Sequence, residues 1–432
     1  VTPTLYAAIQ RHNAGEAATA EAMFQAALAE NPFDADAWQL LASHLILRDH
    51  FATAAHCADR ATELAPDSPV AWSTYGLALH HLERYHEAQI AHNHALKLDS
   101  NFAPALRNRA MTHYSLGDLD AANADFDAAR VLIESDRSLD ADAAWPALAR
   151  DDLSRGLELS ESRNVKPSVI WEFGIPLWRG EDLTGKSILV HHEQGFGDTI
   201  MWSRYLPQVK ASRVIVAVHF GLFRLFRAQG FDTVVLPGEV PEVDFQVPFD
   251  SLAYVLRVER ASGEPYMVPP PHKALLPVAR HTKLKVGIIW SSGTHLAYGR
   301  RRSMPVENVL PLTGLPGVQL FSLAPEGTKD LEQIGAGSLV TDMAPMIRDW
   351  ADTAAIIDKL DLLVSVDTAA LHLAGAMGKR AIGLMSFAPA WQWHPRLSLR
   401  ARWYDSVELL WSCAPGEWSP LIDQVRRTLL GE

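Results

Sequence analysis

The sequence predicts an α + α/β protein: an all-α repeat array over residues 1–134, then two α/β lobes built on parallel sheets. Three observations carry this. Residue types recur every 34 positions in the first third of the chain. From Ser187 onward, short apolar runs alternate with helical patterns, as parallel strands joined by crossover helices do. A proline-rich stretch, Pro265–Pro277, divides that second region.

In the array, Ala20 recurs as Ala54, Ala88 and Ala122, Trp38 as Trp72, and Phe51 as Tyr85. Small residues let paired helices approach, and large ones fill the space between successive pairs. The pattern resembles the tetratricopeptide repeat (TPR), in four units. No unit can bury its own face, so the array is expected to stack into a superhelix with a groove. Gln39, Ser43, Ser73, His80, Arg107 and Tyr114 are the expected groove residues. That mixture suits a peptide or protein partner; the plain alternative is a polar face used for packing alone. Ten of the 18 histidines lie here. No cysteine or acidic partner recurs at ligand spacing, so no metal site is expected.

Composition narrows the function classes. The chain has 432 residues and a net charge of −12, which excludes a general nucleic-acid binder. The charge is uneven: −9 over residues 1–134 and −3 over the remainder. No apolar run is long enough for a membrane span, and the N-terminal residues lack the pattern of a signal peptide. Cys57 and Cys413 stand far apart, and a reducing, cytoplasmic setting is expected.

Residues 135–170 read as capping helices and a linker, with a boundary loop at Glu161–Pro167. Trp171–Lys186 reads as a strap onto the following sheet. The first lobe is expected over 171–278, with strands in Ile188–Val190, Val214–Val218, Thr233–Leu236 and Asp244–Pro248. The second lobe is expected over 279–432. Its strands start at Lys285 and continue at Gln319–Leu323, Ser338–Val340, Leu362–Val366, Ala381–Met385 and Val407–Trp411. Helices are expected over Asp349–Leu360 and Pro420–Leu430.

Parallel sheets bind ligands outside the carboxyl ends of their strands. Three clusters fall there. The first is Glu193, Gln194, Gly195, Gly197 and Asp198, where the glycines let a ligand approach the backbone. Asp198 reads either as a helix N-cap or as a base at a cleft. The second is Ser291, Ser292 and Gly293, followed by a basic loop with Arg300, Arg302 and Ser303; small-residue loops and arginines suit phosphate. The third is Asp367, Thr368 and His372. Asp367 reads as a helix cap or as a support for its neighbours, and His372 alone reads as a core histidine.

In combination, HEQGFGDTIMWSRYLP (His191–Pro207), GIIWSSG…GRRRSMP (Gly287–Pro305) and DTAAIIDKLDLLVSVDTAALHLAGAMGK (Asp352–Lys379), placed behind repeats, resemble bacterial TPR glycosyltransferases. The α/β part is similar to glycosyltransferase family 9, the heptosyltransferases. The resemblance implies a GT-B fold of two Rossmann-like lobes and a transferase that uses a nucleotide sugar and no metal or other cofactor. It implies Asp198 as the base. It implies donor contacts from Asp367, Thr368, His372, Arg300, Arg302 and Ser303. A protein acceptor recruited by the TPR groove is the leading expectation, such as a flagellin or another surface protein. The alternatives are assembly of a lipopolysaccharide or capsule glycan, and a non-catalytic scaffold.

Overall fold

The computed structural model describes residues 2–133, 135–163, 173–271, 276–293, 297–394 and 401–432. Part of the expected linker (164–170), Trp171 of the strap, and 272–275 of the proline-rich stretch lie outside the described residues. Two compact units, Val1–Ala147 and Leu148–Glu432, make up the chain.

The first unit is a series of helical hairpins. They are α1 (Pro3–Asn13) with α2 (Ala17–Glu30), α3 (Ala35–Ile46) with α4 (Phe51–Leu64), α5 (Pro69–His81) with α6 (Tyr85–Leu98), and α7 (Ala103–Ser115) with α8 (Leu119–Leu132). Each hairpin turns through one left-handed residue: Gly15, Asp49, Glu83 and Gly117, spaced 34 apart. The next amide in each case (Glu16, His50, Arg84, Asp118) donates back to the carbonyl of Arg11, Leu45, Leu79 or His113, closing the first helix. Helix starts repeat too. Asp34 accepts from the Ala37 amide at 3.1 Å and Ser68 from the Ala71 amide at 3.3 Å. Ala20, Ala54, Ala88 and Ala122 are buried at the hairpin crossings. Two more helices, α9 (Arg137–Ala149) and α10 (Leu153–Ser160), keep the period, because Asp151 is again left-handed, 34 residues after Gly117.

The second unit holds two parallel sheets. The first contains β1 (Ser187–His191), β2 (Arg213–Val218), β3 (Asp232–Val235) and β4 (Phe245–Pro248), in the order β3-β2-β1-β4. Its helices are α11 (Phe196–Trp202), α12 (Phe223–Ala228) and α13 (Leu252–Val255). The strap lies beside β4, where Leu177 bridges Gln246 and Trp178 is buried.

The second sheet contains β5 (Leu284–Ile289), β6 (Val318–Ser322), β7 (Thr341–Asp342), β8 (Leu362–Val366), β9 (Ala381–Met385) and β10 (Val407–Trp411), in the order β10-β9-β8-β5-β6-β7. Its helices are α14 (Ala297–Arg302), α15 (Gly327–Gln333), α16 (Trp350–Lys359), α17 (Ala369–Ala376) and α18 (Ser419–Leu430). Every residue of β8 and β9 is buried, as in a sheet covered on both faces. The architecture is the GT-B-like pair of α/β lobes.

One expected strand moves. Ser338–Val340 lies in a turn, and the edge strand forms directly after it at Thr341–Asp342, paired with Phe321 and Ser322. The apolar signal of Leu339 and Val340 misled the placement. Val340 packs into the core below the sheet, and Leu339 is exposed.

Candidate active site

In each sheet, strand order reverses around the first strand of the lobe. β1 lies between β2 and β4, and β5 lies between β6 and β8. The carboxyl ends of β1 and β4, and of β5 and β8, therefore flank the two natural ligand crevices.

Asp198 sits in the first turn of α11, beyond β1. It is not the N-cap that its position suggested. Gly195 caps the helix, and Asp198, three residues on, reaches back to accept the Gly195 amide at 3.2 Å. This is the return half of a capping box, and it pins the glycine loop to the helix. Glu193 does not line an open surface. Its side chain is 2% exposed and ion-paired with Arg163 at 3.1 Å. Gln194 offers its carbonyl to His219 Nε2 at 2.9 Å. Gly195 is exposed and Gly197 half-buried.

On the second lobe the expected basic loop is helical: Arg300 and Arg302 end the short helix α14. Ser303 joins this helix to the loop after β5. Its hydroxyl accepts from the Ser292 amide at 2.9 Å and lies 2.8 Å from the Gly299 carbonyl. Ser291 and Ser292 are half-buried and Gly293 is exposed. Asp367 does not cap α17; Thr368 occupies the N-cap position. The Asp367 carboxylate instead accepts from Arg302 Nη1 at 3.1 Å and from the Trp393 indole at 2.9 Å. Thr368 Oγ1 is 2.8 Å from Ser365 Oγ. His372 is buried, with Nδ1 2.9 Å from the Tyr404 hydroxyl.

The two lobes meet at these residues. Helix α11 packs on α17. A Cβ at Gly197 would stand 2.9 Å from His372 Cδ2, so only glycine admits the imidazole there. Arg224 of α12 reaches Asp349 at 3.0 Å and Asp352 at 3.2 Å. Phe196 and Trp350 are in ring contact, with centroids 5.4 Å apart.

Electrostatics follow from this closure. Burial and the facing Asp367 carboxylate push Asp198 up to about 6, while Arg302 pulls the other way. Burial pushes His372 down to about 4, so it is neutral at physiological pH. A half-buried carboxylate with its pKa near 6 can take a proton from a hydroxyl; a cation and helix-start amides opposite can meet an anion.

Sequence reasoning missed four residues: Asp250, Arg163, Trp393 and Tyr404. Asp250 follows β4 and is a buried acid held well above the usual range by burial, with Asp198 and Glu193 adding to the effect. The rule that finds Asp198, an acid at a strand's carboxyl end, finds Asp250 too. Arg163 bonds Ser251 Oγ at 2.8 Å beside its Glu193 pair. Nothing local marks Arg163, Trp393 or Tyr404.

Most of the residues expected to line the groove bond to neighbouring repeats. Gln39 Nε2 donates to Thr74 Oγ1 at 3.0 Å, Asn108 Nδ2 donates to Ser73 Oγ at 3.2 Å, and Arg107 pairs with Asp142 at 2.5 Å. Each link spans 35 residues and joins one first helix to the next. His80 Nδ1 lies 3.1 Å from Thr112 Oγ1, Tyr114 is buried against Trp145, and Ser43 accepts from Gln39 at 2.9 Å. All of these side chains but Ser43, whose bond to Gln39 stays within α3, join one repeat to the next. Among the described residues no group of three His, Cys, Asp or Glu could hold a metal ion, and no described helix is long and apolar enough to cross a membrane.

The fold is a series of helical repeats followed by a two-lobed α/β region. Residues 12–77 match the tetratricopeptide repeat family, and residues 313–397 match glycosyltransferase family 9 (heptosyltransferase). The chain therefore carries tetratricopeptide repeats and a glycosyltransferase family 9 domain. The family 9 match includes Asp367, Thr368 and His372; Asp198 and Arg302 fall outside it. Protein FlbA of Caulobacter vibrioides is 27% identical over 409 residues, covering 84% of this chain and 67% of that protein. Superkiller complex protein 3 of Mus musculus is 32% identical over 104 residues, covering 24% of this chain and 7% of that protein. Among solved structures, a thermophilic TPR protein of Thermus thermophilus is 21% identical with a TM-score of 0.35, covering 38% of this chain and 90% of its own.

Proposed function

We propose that the chain is an inverting glycosyltransferase that moves a sugar from a nucleotide donor to a hydroxyl of an acceptor, without a metal. The observation that carries the reading is Asp198, a carboxylate near pKa 6 facing the Arg302–Asp367 pair across the joined lobes. Asp198 takes the proton of the attacking hydroxyl. Arg300, Arg302, the Ser291–Gly293 loop, Ser303 and the start of α17 at Thr368 meet the charge on the departing nucleotide phosphate. Closure of Gly197 on His372 keeps water away from the donor.

The acceptor in this reading is a protein, with a flagellin or other surface protein as the expected kind, recruited through the repeats. The use of Gln39, Ser73, His80 and Arg107 in joints between repeats favours a second reading, in which the array scaffolds partner enzymes and the acceptor is a glycan. Donor turnover measured with protein and glycan acceptors separates the two. Screening nucleoside diphosphates for thermal stabilisation identifies the donor class. Asp198→Ala should keep nucleotide binding and lose transfer; full activity in that variant removes Asp198 as the base.

A further inference from the structure

Four carboxyl groups converge around the glycine loop, and their charges need offsetting. Glu193 follows β1, Asp198 sits in the first turn of α11, and Asp250 lies in the turn Phe249–Ser251 after β4, on which α11 packs. Asp367 faces them from the second lobe. Asp250 is buried, and the charges of Asp198 and Glu193 both act on it. Buried like charges ionise together only where cations stand among them. Arg302 is one such cation, paired with Asp367 at 3.1 Å.

Arg163 is another. It stands just beyond α10, the last helix that keeps the repeat period, yet it belongs to the second unit. Nη1 donates to the Ser160 carbonyl at 3.0 Å and to Glu161 Oε1 at 2.8 Å. Nη2 donates to Glu193 Oε2 at 3.2 Å and to Ser251 Oγ at 2.8 Å. Ser251 in turn donates to Glu161 Oε2 at 2.9 Å, which closes a ring of bonds. One planar fork thus ties the carboxyl ends of β1 and β4 to the end of α10. Burial works against the Arg163 charge, but Asp250, Glu193 and Glu161 keep it protonated. The histidines on this side do not share that work. Burial pushes His191 and His192 down to about 4, as it does His372 beside Gly197, so all three are neutral where Asp198 titrates. His219 meets the Gln194 carbonyl.

We propose that Arg163 is a positioning residue for Asp198: as the first-lobe counterpart of Arg302, it offsets Glu193 and Asp250 and so lets Asp198 ionise. In the transferase reading, on which this role rests, the base is then balanced by two cations. One comes from the second lobe and one from the segment that ends the repeat series. The helix that closes the repeat period is in that case part of the catalytic unit.

The test reads the ionisation of Asp198 in the full chain, labelled with ¹³Cγ-aspartate and titrated from about pH 4.5 to 8. Asp198 is assigned by its loss in Asp198→Asn. The wild-type midpoint is expected at about 6. Glu193→Gln leaves the guanidinium with one acid fewer and should lower the midpoint. Adding Arg163→Gln removes the cation and leaves a neutral pair of similar shape. It should raise the midpoint again by about 0.5–1 pH unit, as a charge acting from beyond contact distance does. Arg163→Lys in the Glu193→Gln background keeps the charge and should keep the lowered midpoint. Equal midpoints in Glu193→Gln and Glu193→Gln/Arg163→Gln overturn the proposal, and so does a lysine variant that behaves like the glutamine one. Transfer against pH in the same variants keeps the transferase reading separate. An acid limb that follows the NMR midpoint supports both. If no acceptor is glycosylated, or the limb stays fixed while the midpoint moves, the base reading fails and the control of Asp198 by Arg163 stands.

Discussion

Replacing Asp198 by Asn should stabilise the second unit while abolishing transfer. In the folded protein the carboxyl ionises near 6 instead of 3.8, because burial and Asp367 oppose its charge. Each pKa unit corresponds to ~1.4 kcal/mol, so the ionised carboxylate destabilises the fold by up to about 3 kcal/mol at pH 7.5. Asn keeps an oxygen for the Gly195 amide, so the cap survives. The sign follows from linkage. The folded pKa is raised, so the native state holds its proton longer, and wild-type stability from this group is present below about pH 4 and lost as pH rises through about 6. Asp198→Asn should therefore be roughly 2–3 kcal/mol more stable than wild type at pH 7.5 and nearly equal to it at pH 4. Urea unfolding followed by tryptophan fluorescence at both pH values reads the difference. A variant that is less stable at pH 7.5, or equally stabilised at both, refutes the electrostatic account of the site.

Two further outcomes follow from the same physics. Arg302→Ala removes a cation that lowers the Asp198 pKa and leaves Asp367 without that partner; the rising limb of transfer against pH should move above 6, and an unmoved limb shows that Asp198 does not feel Arg302. In the array, His92 is fully buried on Gly76 with a pKa of about 3. The unfolded state binds its proton first, so stability falls as pH drops below 6.5, by about 2 kcal/mol at pH 5. His92→Leu should flatten that dependence in acid unfolding monitored by circular dichroism, and an equally steep loss in the variant would exonerate His92.

The fold was legible because its signals are periodic. The 34-residue recurrence of alanines and aromatics marked the hairpins, and strands such as Val214–Val218 announced themselves as unbroken apolar runs. Turn conformation was legible at Gly15 and Gly117 but not at Asp49 and Glu83, where a charged residue takes the same left-handed backbone. The site was legible where residues sit at strand ends: Asp198, Ser292 and Asp367. Their partners were not. Trp393 reaches Asp367 from 26 residues away, Tyr404 reaches His372 from 32, and Arg163 reaches Ser251 from 88. Such pairings depend on how segments distant in the chain pack together, and no local pattern records them. The use of the expected groove residues in joints between repeats was illegible for a related reason. A polar side chain at a repeat position reads the same whether it faces solvent or the next repeat.

The links between first helices also bear on how freely the array could be rebuilt. Gln39 with Thr74, Ser73 with Asn108 and Arg107 with Asp142 occupy the same relative place at three successive junctions. The chemistry differs at each: amide to hydroxyl, amide to hydroxyl with the donor on the opposite helix, then guanidinium to carboxylate. Every junction thus has its own key and lock. Deleting or duplicating one 34-residue unit would set mismatched halves against each other, and the last junction would leave a partly exposed charge without its counterpart. The repeats share a backbone but are not interchangeable bricks, so the array has a fixed length and order written into its inner seam.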